Sequence, residues 1–135
     1  MKSGGKIVPA TEVIKRTGLK RLLFTVVNSA KGFRFLVRHE EAFQLESVLA
    51  CLLIPIAIYL PATPVETVLL IISVIVVLIV EVLNTAIEVL TDRISLDHHE
   101  LSGLAKDLGS LAVTLSLALW ATVWGWIVPQ YWLVG

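Results

Sequence analysis

Four polar residues stand on one stripe of a helix that is otherwise apolar. In the run EVLNTAIEVLTD, Glu81, Asn84, Glu88 and Asp92 follow one another at spacings of three, four and four. At about 100° per residue, and relative to Glu81, Asn84 falls near −60°, Glu88 near −20° and Asp92 near +20°. The stretch leading into them, TVLLIISVIVVLIV, is free of charge from Thr67 to Val80. An ionised carboxylate near hydrocarbon depth costs roughly 2.5 kcal/mol or more. A stripe of such groups therefore asks for something cationic against it: a metal ion, a basic side chain, or the counter-ion of a phosphate.

Other acidic groups belong to the same end of the chain's hydrophobic segments. Glu40, Glu41 and Glu46 precede or open the first apolar run, and Asp97, Glu100 and Asp107 surround the start of the last. Lys106 shares a helix face with Gly103 and Ser110, with Asp107 at its edge, and beside several carboxylates it becomes a phosphate partner. His98 and His99 are adjacent, so on a helix they cannot face one ion. Carboxylates with one lysine suit hard-cation and phosphate chemistry. Magnesium takes one or two carboxylates plus phosphate oxygens, and phosphoryl transfer needs chiefly positioning and charge neutralisation. The chain has no G-x-x-x-x-G-K-[ST], H-R-D or D-F-G sequence, which excludes P-loop and protein-kinase sites.

The elements that carry these residues follow from composition. A chain of 135 residues, 56% hydrophobic and 16% charged, with a mean hydropathy of +0.85, forms one domain and is too apolar for a water-soluble fold of this size. Three runs reach the roughly 20 residues a membrane helix needs: about 42–60, 65–92 and 106–128. Pro55 interrupts the first, Pro61-Ala-Thr-Pro64 turns the chain before the second, and Pro129 is expected to close the third. Trp120, Trp124, Trp126, Tyr131 and Trp132 form an interfacial aromatic belt. Residues 1–10 read as a flexible lead-in. Residues 11–38 read as a basic amphipathic helix in the interface plane, with Leu19, Leu22, Leu23, Val26, Val27, Ala30 and Phe33 opposite Arg16, Lys20, Arg21, Lys31, Arg34 and Arg38.

Net charge is zero, yet nine of the eleven Lys/Arg lie in residues 1–47. The positive-inside rule then puts the N-terminus in the cytoplasm and, after three spans, the C-terminus outside. No cleavable signal peptide is expected. The single cysteine, Cys51, rules out an intrachain disulfide. Nothing points to nucleic acid.

The run Glu81-Val-Leu-Asn84-Thr-Ala-Ile-Glu88-Val-Leu-Thr-Asp92-Arg93, with His99-Glu100-Leu-Ser-Gly103-Leu-Ala-Lys106-Asp107-Leu-Gly-Ser110 after it, strongly resembles the small prokaryotic diacylglycerol kinases. The resemblance runs ungapped from about Arg21 onwards. It implies an all-α bundle of surface helix and three transmembrane helices, assembled as an inner-membrane homotrimer with composite sites. Each site would transfer the γ-phosphate of MgATP to diacylglycerol, giving phosphatidic acid. By the same resemblance Glu81 is the catalytic base, and Glu40 and Glu88 hold the metal. Arg21, Asn28, Glu40, Glu88, Asp97, His98, His99, Lys106 and Asp107 contact ATP. Arg34, Glu46, Asn84 and Ser110 lie on the lipid side. Glu81 is also the deepest carboxylate, where desolvation suits it to accept a hydroxyl proton.

The chain departs from the family pattern at Asn28, where an aromatic residue is usual, at His39, where an amide is usual, and at Gln44, where arginine is common. Undecaprenol kinase, on the same scaffold, is the alternative; Glu-Leu-Ser-Gly after His99 leans towards diacylglycerol. An ion carrier would need charges on both sides of the membrane, whereas the far side carries only Glu66 and the third span is uncharged from Leu108 on.

Overall fold

The computed structural model describes residues 18–94 and 99–132, and the described residues form four helices: α1 (Leu19–His39), α2 (Glu41–Tyr59), α3 (Pro64–Ile94) and α4 (Glu100–Trp132). The chain divides into two compact units between Phe35 and Leu36, within α1. The expected lead-in, the first residues of the expected surface helix, and Asp97 and His98 lie outside the described residues.

In the first unit, Gly18 takes a positive φ of 70°, which glycine adopts without a Cβ penalty, and its carbonyl accepts from Arg21 N–H at 3.1 Å. From there α1 runs with Leu19, Leu22, Leu23, Val26 and Val27 all exposed.

In the second unit, α1 ends at a single non-helical residue. Glu40 is extended (φ −112°, ψ 104°), and its side chain makes no capping bond to α2. Its carboxylate is thus left for other work. Pro55 sits inside α2 without ending it, as membrane helices permit when neighbouring groups take up the freed carbonyl.

The α2–α3 turn is closed by a reciprocal cap. Thr63 N–H and Oγ1 donate to Glu66 Oε2 at 2.8 and 2.6 Å, and Glu66 N–H reaches back to Thr63 Oγ1 at 3.4 Å. This is a capping box with Pro64 at the first helical position. Tyr131 Oη donates to the same Glu66 oxygen at 2.7 Å and ties the end of α4 to this turn. Next to it Ala57, Leu70 and Ile127 form the core cluster, with Trp124 Nε1 donating to Leu70 O at 3.2 Å.

α3 packs against both α2 and α4. All three are long and apolar enough to cross a membrane. They bury few large side chains and expose many, among them Leu45, Leu52, Ile56, Ile72, Ile79, Leu111 and Leu119. Contiguous apolar surface on that scale belongs against lipid or another chain.

Two helix ends differ from expectation. α4 begins at Glu100, six residues before the expected start at Lys106, because His99 caps it: its Nδ1 accepts from Leu101 N–H at 3.2 Å. Glu100 in the first turn adds a charge that favours a helix N-terminus. At the other end α4 continues through Pro129 to Trp132. A proline there removes one bond in the last turns, and Gln130 Nε2 donates to Trp126 O at 2.8 Å.

Candidate active site

α3 turns its polar stripe inward. Glu81 is buried at 5% exposure, in a segment where most neighbours are aliphatic, and Thr85 and Thr91 are buried on the same side. One helical turn and two turns beyond Glu81, Asn84 and Glu88 are half-buried. They are joined: Asn84 Nδ2 donates to Glu88 Oε1 at 3.1 Å. Spacing of four on a helix makes that contact natural. Thr91 does not compete for the carboxylate, since its hydroxyl donates to the Glu88 backbone carbonyl at 2.8 Å.

Two further carboxylates of the second unit lie near this stripe. Glu88 and Glu40 both lie within electrostatic reach of Glu81. So does Glu46, from α2. Glu46 Oε2 is buried and has no hydrogen-bond partner among the described residues. It stands at an apolar cleft of about 50 Å³ lined by Leu49, Leu53, Val77, Leu117 and Trp120 among others. A buried acceptor without a donor is costly, and a hydroxyl entering this end of the cleft would meet it.

Asp92, the fourth member of the stripe, goes elsewhere. It is exposed and accepts from Lys106 Nζ at 2.6 Å, bridging the ends of α3 and α4 with both side chains about half exposed (51% and 42%). Asp107 and Ser110 are exposed on α4, and Ser110 contributes its carbonyl to Thr114 Oγ1 at 3.0 Å. His99 is engaged as the α4 cap. Arg21, Asn28 and Arg34 lie in the first unit. Among the described residues no three His, Cys, Asp or Glu side chains come together as a ready metal cage. Gly109 went unnoticed in the sequence; it is buried against Asn84. The readable signal was a small residue in a bulky membrane-length helix, where it lets backbones approach.

Membrane-length helices with carboxylates collected on the inner face of one of them define a small helical membrane protein with an acidic site. Residues 27–128 match the family pattern of prokaryotic diacylglycerol kinase. The diacylglycerol kinase of Haemophilus influenzae is 43% identical over 114 residues, covering 84% of this chain and 97% of that protein. The diacylglycerol kinase of Escherichia coli K12 is 44% identical over 108 residues, covering 80% and 88%. That of Helicobacter pylori J99 is 33% identical over 111 residues, covering 82% and 87%. The chain belongs to the prokaryotic diacylglycerol kinase family. It is therefore a transferase of the kinase kind.

Proposed function

We propose that the protein transfers the γ-phosphate of MgATP to the primary hydroxyl of 1,2-diacylglycerol, giving phosphatidic acid and ADP. One observation carries the reading: a buried carboxylate, Glu81, sits within electrostatic reach of Glu40, Glu46 and Glu88. Family membership supplies the substrate class.

In this reading Glu81 accepts the proton of the lipid hydroxyl as its oxygen bonds to the γ-phosphorus, and the bond from that phosphorus to the β–γ bridging oxygen breaks. Transfer is direct, with no phosphorylated protein. Glu46, with its unpartnered oxygen at the apolar cleft, orients the lipid's polar end. Asn84 steadies Glu88. By the family resemblance, Ser110 and Arg34 complete the lipid side.

The donor set fits magnesium. Glu40 is unspent on capping and Glu88 is held by an amide; both offer hard oxygen, and with no three-ligand cluster among the described residues there is room for phosphate oxygens. Glu40 and Glu88 would hold the ion, which when bound neutralises charge on the transferring phosphate. Lys106, Asp107, His99, Arg21 and Asn28, with Asp97 and His98, would contact the nucleotide. Lys106 then exchanges an exposed carboxylate partner for phosphate.

The same reading makes the chain one working domain of an inner-membrane homotrimer, with the N-terminus cytoplasmic and the C-terminus periplasmic. α1 would be an amphipathic helix on the cytoplasmic surface, as the exposed leucines and valines on it support.

The test is phosphorylation of a panel of lipid alcohols by purified protein with MgATP in mixed micelles. Diacylglycerol should be the preferred acceptor, and Glu81→Gln should lose at least about a hundredfold in turnover. A strong preference for undecaprenol would assign the chain to the alternative kinase. Unchanged turnover in Glu81→Gln would remove the base from the scheme.

A further inference from the structure

At one point α4 comes so close to α3 that a side chain on α4 would displace one on α3. A Cβ placed on Gly109 would overlap Asn84 Oδ1 and touch its Cγ at 3.4 Å, whereas at Gly103 and Gly125, on the same helix, a Cβ meets nothing within 4 Å. Asn84 is consequently wedged between two neighbours. Its Nδ2 donates to Glu88 Oε1 at 3.1 Å. Its Oδ1 is buried with no hydrogen-bond partner among the described residues.

The two ends of this amide are not interchangeable. An ionised carboxylate only accepts, so the NH2 group must face Glu88 and the oxygen must face Gly109. Turning the amide over would set oxygen against oxygen. The bond that results is charge-assisted, the stronger kind, and it is what keeps the oxygen in an otherwise unfavourable place. A methyl group at 109 would push the amide out of this slot and release Glu88.

We propose that Gly109 is a positioning residue for phosphoryl transfer: by leaving room for the Asn84 amide, it holds the Glu88 carboxylate in the orientation that grips the nucleotide's divalent cation. This rests on the reading of Glu88 as a metal-holding carboxylate. Helix propensity alone gives the opposite sign for a substitution, since alanine is the better helix former.

The experiment uses the full chain in mixed micelles and compares wild type, Gly109→Ala, Asn84→Ala, the double variant, Gly125→Ala and Glu88→Gln. Three quantities are measured: kcat and KM for MgATP, Mn²⁺ binding in the presence of ADP by electron paramagnetic resonance, and thermal unfolding by circular dichroism. Gly109→Ala should raise both the KM for MgATP and the Kd for Mn²⁺ about tenfold, with a smaller change in kcat. Tenfold corresponds to about 1.4 kcal/mol, just under the usual range for one hydrogen bond to a charged group. Asn84→Ala should do the same. The double variant should be no worse than Asn84→Ala, because alanine at 84 removes both the overlap and the bond. Gly125→Ala should match wild type.

Additive losses in the double variant, wild-type Mn²⁺ binding in Gly109→Ala, or a loss of stability with unchanged KM would each overturn the proposal. If Gly109→Ala does not fold, the double variant must fold and match Asn84→Ala; failure of both assigns Gly109 to packing alone. Mn²⁺ binding that survives Glu88→Gln would overturn the reading of Glu88 and this inference with it. Normal binding through Glu88 with an indifferent Gly109→Ala would sink only the inference.

Discussion

At the scale of residues, carboxylates of one chemical type take different parts because their surroundings differ. Glu81 is buried, Glu88 is held by an amide, and Asp92 meets a lysine in solvent. Glu46 is the least satisfied, with one oxygen buried and unpartnered at an apolar cleft. Such a group is a cost to folding that function explains. Glu46→Leu should therefore stabilise the fold by roughly 1–3 kcal/mol, the desolvation cost of one unmade bond, while raising the KM for diacylglycerol. Thermal unfolding and lipid-dependent kinetics on the same sample check both halves. Lys106→Met should raise the KM for MgATP tenfold or more and leave the unfolding temperature nearly unchanged, since an exposed ion pair contributes little to folding.

At the scale of elements, the helix ends are set by local chemistry and the site depends on them. Glu40 separates α1 from α2 as one extended residue, and His99 starts α4 early enough to put Lys106, Asp107 and Gly109 on a helix. The opposite end of the bundle is fastened by the Thr63–Glu66 capping box and Tyr131. Thr63→Ala should cost about 1 kcal/mol, the usual loss of a cap, seen as a lower unfolding temperature in detergent. Its kcat at a temperature where it is folded should remain that of the wild type, because the cap lies beyond the core cluster from the carboxylates.

At the scale of the whole molecule, the exposed aliphatic surface of α2, α3 and α4 is the dominant fact. Cys51 is exposed on α2, in the middle of a membrane-length helix. In intact membranes it should resist a water-soluble maleimide, and it should label fully once the protein is unfolded in detergent. Rapid labelling in sealed vesicles would place α2 outside the hydrocarbon.

Much of this was legible in the amino acids alone. Three predominantly apolar runs of membrane length can only be helices in lipid, where each backbone group must find its partner within its own segment. The three- and four-residue spacing of Glu81, Asn84 and Glu88 put them on one face before any neighbour was known. The spacing also assigned Asp92 to that stripe. Only the packed structure sent it outward to Lys106, a partner 14 residues further along the chain on α4. Gly109 could be read as a small residue in a bulky helix but not as a contact, because a missing side chain acquires meaning only when another helix presses an amide into the space it leaves. Periodicity is a property of one segment and survives in the sequence; contact between segments depends on how helices cross, and the chain reveals it only once folded.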